Sequence, residues 1–310
     1  MRCCVRREGG GEHAAEVCAE SGAAQDADVL KAPLPDFNIL QDGLRMKWTL
    51  SMLLTGAAGL VSAAAAHAGE EEYAKKLANP VAALISVPFQ YNYDGGYGPD
   101  NGTKSQLNIQ PVIPFSVGED WNVISRTIVP VVSQRDVAGK SGRQSGVGDI
   151  TQSLFFSPKA PTAGGLIWGA GPAMLVPSAS DRLLGGDKWG VGPTAVLLTQ
   201  QGSLTYGALV NHIWSFAGNQ DRHNVNATFL EPFISHTTGS AWTFGLDTES
   251  TYDWNAEKWS VPANLTVSKV VTLGSQLVSF QVGMRYWVTA PESGPGGLGF
   301  RAGVTFLFPN

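Results

Sequence analysis

Five charged residues stand inside stretches that otherwise alternate apolar and polar side chains: Arg126, Asp247, Glu249, Arg285 and Arg301. In "SFQVGMRYWV", Phe280, Val282, Met284, Tyr286 and Val288 share one face, and Ser279, Gln281, Gly283, Arg285 and Trp287 share the other. Likewise Trp242, Phe244 and Leu246 oppose Thr243, Gly245, Asp247 and Glu249. A side-chain period of two is that of a strand with one apolar face. Charges gathered on the opposite face can fill an interior as an ion-pair network, or line a passage and select what crosses it. The pattern leaves both roles open, and one network can serve as both.

Other residues invite chemistry less strongly. His212 in "LVNHIWSF" has Asn211 and Ser215 nearby, which suggests a hydrolase, but no nucleophile-elbow pattern accompanies it. By alternation His212 shares a face with Tyr206, Val210 and Trp214, which places it at a rim. Asp221 and His223 in "GNQDRHN" lack a further ligand at metal spacing. "GVGDI" at 146–150 opens a strand rather than a helix, so it is no phosphate cradle. "DGGYGPDNGT" has the composition of a calcium loop without its spacing or terminal Glu. The expectation is therefore a non-enzyme with no metal and no cofactor.

The elements that hold these residues begin after an unusual start. Residues 1–45 are polar and patternless, and are expected to be a mis-called or extraneous extension. From Met46, a short basic region (Arg45, Lys47), an apolar run from Leu50 to Ala66 and the small-x-small motif Ala66-His67-Ala68 follow in order. That is the layout of a secretory signal peptide, cleaved between Ala68 and Gly69. Cys3, Cys4 and Cys18 all precede it, so the exported part has no disulfide framework. Eight of the 26 acidic and six of the 21 basic residues precede Gly69, which leaves a net charge of −3 for the remainder. With no basic stripe, nucleic-acid binding is not expected.

From Ala82 onward no helical period persists. Twelve strand-like stretches can be marked, at about 82–93, 104–115, 122–134, 147–157, 165–177, 189–199, 203–216, 224–236, 241–253, 259–271, 276–289 and 298–308. They exceed a typical soluble strand and match the roughly 9 to 11 residues of a tilted strand crossing a bilayer. Tight connections such as "TQQGS" and "TLGSQ" mostly alternate with longer polar ones such as "DVAGKSGRQSG" and "SASDRLLGGD", the outer-membrane pattern. Exceptions are the long "SPKAPTAGG" and the short "DWNAEKW". Tyr91, Tyr93, Trp121, Trp189, Trp214, Trp242, Trp254 and Trp259 fall near strand ends, where aromatic girdles sit. Seven prolines inside the stretches (Pro111, Pro114, Pro130, Pro172, Pro193, Pro232, Pro262) should mark bulges or barrel ends.

The predicted fold is all-β: a membrane-spanning antiparallel β-barrel of about 12 strands over residues 81–310, preceded by a short periplasmic segment at 69–80. Its five charges would face the lumen, because Arg toward lipid near the midplane costs about 2–4 kcal/mol. In "GLGFRAGVTFLFPN", Phe300, Phe306 and Phe308 would face lipid in the strand that closes and helps assemble the barrel.

"NPVAALISVPFQYNYDGG", "LNIQPVIPFSVGEDWNVISRTIVPVVSQRD" and "GVGDITQSLFFSPKAP" together resemble the MetA-pathway of phenol degradation family of outer-membrane transporters. "LEPFISH" resembles that family's Gln-Pro-Phe-Val strand, with Glu231 where Gln is usual. The resemblance spans roughly residues 79 to 310. It implies a bacterial outer-membrane barrel passing small molecules, aromatic or hydrophobic ones among them. Outer-membrane lipid, the barrel-assembly machinery and a small permeant would be its partners. A closed barrel serving as envelope scaffold or binding surface is the alternative, and a lipid-acting hydrolase a more distant one.

Overall fold

The computed structural model describes residues 69–309. The extension at 1–45, the leader at 46–68 and the Ala68 side of the cleavage site lie outside the described residues. The remainder is a closed antiparallel barrel of twelve staves, built from fifteen strand segments. These are β1 (Ile85–Tyr97), β2 (Gly102–Ile109), β3 (Val112–Val117), β4 (Trp121–Arg135), β5 (Arg143–Val147), β6 (Ile150–Pro158), β7 (Leu166–Val176) and β8 (Lys188–Gln201). There follow β9 (Leu204–Gly218), β10 (Asn226–Thr237), β11 (Trp242–Asp247), β12 (Ser250–Asp253), β13 (Lys258–Leu273), β14 (Gln276–Thr289) and β15 (Gly297–Phe308). β15 pairs β1 from Ile85↔Phe308 to Tyr93↔Phe300, so the sheet has no free edge. A sheet in hydrocarbon must close in this way to satisfy its backbone groups.

Three staves are interrupted, and prolines explain two of the breaks. β2 and β3 form one stave broken at Gln110–Pro111, since Pro111 has no N–H to give. β11 and β12 are likewise one stave. Its gap at Thr248–Glu249 lies opposite Pro232 on β10 and Pro262 on β13, so neither neighbour can donate there. β5 and β6 are split by a one-residue register shift at Gly148–Asp149, where the Gly148 N–H bonds the Pro130 carbonyl at 2.8 Å. Pro172 and Pro193 face each other across β7 and β8. Gly192 beside them lies so close to the His212 carbonyl that a Cβ would fall 1.7 Å from it. Pro262 sits at a register shift of β13 against β14, as expected of a bulge; the other prolines mark interruptions and pairings within the wall, except Pro114, which lies near the turn rim.

The outer surface is apolar and the inner one polar. Phe280, Val282, Met284, Tyr286 and Val288 of β14 are all exposed, as are Leu298, Phe300, Phe306 and Phe308 of β15. All eight girdle aromatics are exposed too. Buried instead are Asn92, Gln134, Thr194, Asn264, Ser279, Arg285 and Arg301. A closed cylinder with this inside-out polarity is stable only with hydrocarbon around it.

Part of the interior is filled by side chains: Ile124, Phe155, Val196, Leu198 and Leu209 form a buried cluster. Val81 completes it, although it belongs to no strand. The barrel begins at Ile85, three residues later than the strand expected at 82, because residues 78–84 run inside the wall. Asn79 turns the chain there, accepting the Val81 N–H at 3.0 Å.

Before that turn lies a helix, α1 (residues 69–77), at the rim where the tight turns gather. Glu71–Lys75 and Glu72–Lys76 ion pairs support it at i,i+4 spacing. Lys76 holds the exposed Glu72 carboxyl below the usual carboxylate range. The opposite face is docked: Ala74 packs on Ala241 and Val270, and Glu70 accepts from the Thr272 N–H (2.8 Å) and Oγ1 (3.0 Å). Gln200 donates to the Lys75 carbonyl at 2.9 Å. These anchors come from three different turns, so α1 lies across the mouth. Ala241 holds φ of 61° without being glycine, a strained backbone whose methyl is spent on that contact.

At the opposite rim the connections are mostly longer. The first is shorter than expected, because β1 and β2 zip on through Tyr97 and Gly102 and leave only residues 98–101 as loop. The segment 177–187 is drawn in by Asp149, which accepts the Ala179 and Gly186 N–H groups at 3.1 and 2.6 Å. "GVGDI" thus builds a bulge and a loop clasp, and its strand starts at Arg143, earlier than expected.

Candidate functional site

Beside that apolar cluster the lumen holds a layer of charge. Its centre is Glu249, at the gap between β11 and β12. It accepts from Arg301 Nη2 at 2.5 Å and from Arg285 Nη1 at 3.1 Å. Arg301, 4% exposed, also donates through Nε to Asn92 Oδ1 at 2.8 Å and lies 3.7 Å from Asp247. Arg285, 7% exposed, sits 3.4 Å from Asp94 and stacks on Trp287 at 4.7 Å. Trp287 in turn donates to Asp94 at 2.7 Å. Asp247 accepts from Asn264 Nδ2 at 2.7 Å, and Asn264 is fully buried.

Local structure places each of these. Asp247 and Glu249 keep the alternation across the gap, so both face inward. On β10, Glu231 stands opposite Glu249, one step along the ladder from Leu230↔Ser250. Like charges face each other there, and the carboxylate oxygens of Glu231, Asp247 and Glu249 lie within 4.8 Å of one another. Three converging carboxylates could hold a cation, but guanidinium groups already occupy Glu249 and flank Asp247. Buried charges of both signs in contact offset the cost of desolvation.

All five charges read from the sequence are inward and in or beside this layer. Arg285, Arg301, Asp247 and Glu249 form one connected network. Arg126 is adjacent but outside it, donating to Gln110 Oε1 at 3.0 Å. Asp94, Asn92, Gln110, Glu231, Asn264 and Trp287 were not singled out for the lumen. Polar residues at every second position, Gln90, Asn92 and Asp94, carried the signal for two of them. Asp94 falls in the expected loop, beyond the expected strand end at 93.

Cavities lie on both sides of the layer. The outer one, about 360 Å³, has Phe155, Leu209, Ile213 and Phe229 on one wall and Gln106, Asn108 and Ser260 on the other. The inner one, about 270 Å³, ends on Ala74 and Leu77 of α1 and on Ala78 just after it. A third, about 150 Å³, lies between Leu77–Leu84 and the wall.

His212 faces outward. Its ring nitrogens engage Thr228 Oγ1 (2.7 Å) and Asn226 Oδ1 (3.1 Å), and its ring lies 4.0 Å from Trp214. Neither partner is a serine, so no Ser–His pair forms there. Asp221 and His223 are exposed in a loop.

No family model matches the chain, and no curated protein matches it in sequence. Among solved structures, the chain is similar to an outer membrane channel from Pseudomonas putida F1. The identity is 14% and the TM-score 0.58, over 73% of this chain and 96% of that one. It is also similar to the NanC porin (13% identity, TM-score 0.44, 72% and 98% covered). Outer membrane phospholipase A from Escherichia coli is a further likeness (12% identity, TM-score 0.40, 72% and 92% covered). At the first of these similarities the likeness is one of fold, and the fold is that of an outer-membrane β-barrel.

Proposed function

We propose that the protein is a channel of the bacterial outer membrane through which small molecules pass without energy input, and that the charged layer is its selective constriction. The observation that supports this best is the pair of lumen cavities separated by the Glu249–Arg301–Arg285 network. Tight turns and α1 then face the periplasm, and the longer loops face outside. Outer-membrane lipid and the barrel-assembly machinery are the partners this placement requires. The sequence resemblance to the MetA-pathway family and the fold shared with the Pseudomonas putida channel support the same assignment, and the resemblance alone implies aromatic or hydrophobic solutes as permeants.

The test is conductance in planar bilayers. Arg285→Ala together with Arg301→Ala removes two cations from the constriction, so the reversal potential in a salt gradient should move toward cation preference. Unchanged currents would reduce the network to a filler.

One observation favours a second role, that of a closed envelope scaffold: α1 lies across the turn rim. Liposome swelling separates the two, since uptake of no small solute would support the scaffold. A hydrolysis assay in lipid–detergent micelles addresses the enzymatic alternative.

A further inference from the structure

Three cavities run through the lumen, and two charged residues line all of them: Arg126 and Glu231. The other charges of the layer are engaged with one another. These two are not. Arg126 carries five N–H donors and uses one of its groups, toward Gln110. Glu231 makes no hydrogen bond and no ion pair among the described residues. The two do not pair with each other either, although they border the same spaces.

Each is held by its own surroundings. Gln110 holds the Arg126 guanidinium. Glu231 is fixed on β10 between Leu230 and Pro232, opposite a Glu249 already taken by two guanidinium groups. A simple cation entering here would satisfy Glu231 and leave Arg126 alone. A simple anion would meet Arg126 but lie against three clustered carboxylates. A solute carrying both charges answers both groups at once. Beside them, Phe155, Leu209 and Phe229 offer an apolar wall for a hydrocarbon body.

We propose that Arg126 and Glu231 are a recognition pair for a small zwitterion with an apolar side group, the charge pattern of a free amino acid. The carboxylate sits on Arg126 and the ammonium on Glu231, with the side group toward Phe155 and Phe229. The proposal rests on the channel reading and narrows its apolar solutes to those that also carry both charges.

The test is equilibrium binding by calorimetry to the folded, detergent-solubilised full chain. Three probes share one hydrocarbon body: leucine, 4-methylpentanoate, which lacks the amine, and 3-methylbutylamine, which lacks the carboxylate. Leucine should bind at least about tenfold more tightly than either, the worth of one charge-assisted hydrogen bond. Glu231→Gln should weaken leucine to the level of 4-methylpentanoate, and Arg126→Gln to that of 3-methylbutylamine. The heat-dependent gel shift of a folded barrel shows that each variant has folded. Equal binding of the three probes, no leucine binding to the wild type, or a leucine preference that survives Glu231→Gln each overturns the proposal. Because binding is read in detergent, a barrel that passes nothing in liposomes leaves this result standing, and a negative here leaves the swelling result standing.

Discussion

Glu249 accepts from two guanidinium groups, so its two partners are not equivalent in what their loss exposes. Arg301 also bonds Asn92 and lies against Asp247, and it is almost fully buried. Arg301→Ala strands two carboxylates beside a third, Glu231, with Arg285 alone to compensate. Breaking a buried pair from one side costs about 3–5 kcal/mol. Arg285→Ala leaves Glu249 its shorter contact and removes a stacking partner of Trp287. Its cost should be the smaller of the two. The comparison is made by the temperature at which the folded gel band is lost. Arg301→Ala should lower it more than Arg285→Ala, and Arg301→Lys should fall between wild type and Arg301→Ala, since a lysine keeps the charge without the fork. The inward facing of these charges is legible from alternation; their pairing is not, because it joins β1, β11 and the gap after it, β14 and β15 across sequence separations that no local pattern carries.

At the scale of elements, α1 is the part whose position can change without disturbing the wall. Its seat is small: Ala74 against Ala241 and Val270, and Glu70 on Thr272. A nine-residue helix has little stability of its own, even with two ion pairs on its outer face. Ala74→Trp overfills the seat and should release the helix, because buried Ala74 leaves no room for an indole. Single-channel recording should then show larger or more frequent openings with unchanged ion selectivity, since the charged layer is intact. Identical currents would mean that α1 does not limit passage. From the sequence, residues 69–80 are expected only to be a short periplasmic segment, and nothing in "EEEYAKKLANP" says that it enters the barrel mouth. The strands, by contrast, were legible nearly to their ends, because polar-in, apolar-out alternation is imposed at every residue by the two solvents on either side of the wall. The expectation of bulges holds at Pro262, where β13 shifts register against β14. A proline removes one donor, and the sequence does not show which neighbour loses its partner, so Pro232 and Pro262 also break the stave between them.

For the whole molecule, stability resides in closure and in the sidedness of the wall. β15 pairs both β14 and β1 along its length, so removing Phe300–Phe308 would leave two bare edges and should abolish the folded gel band altogether. Sidedness can be tested at one depth with adjacent residues. Val282 of β14 points outward and is 57% exposed, level with Ala302 on one side and Val267 on the other. Gln281 next to it points inward and lines the inner cavity. An arginine at 282 must either sit in hydrocarbon or bend toward a distant headgroup layer, at about 2–4 kcal/mol if the site is near the midplane. An arginine at 281 reaches water and the carboxylates of the layer, and should cost much less. Guanidinium unfolding in lipid vesicles gives the two free energies directly. Val282→Arg should be destabilised by more than about 2 kcal/mol relative to Gln281→Arg. If the two were equal, the surface would not be facing lipid at that depth, and the barrel would have to be placed differently in the membrane.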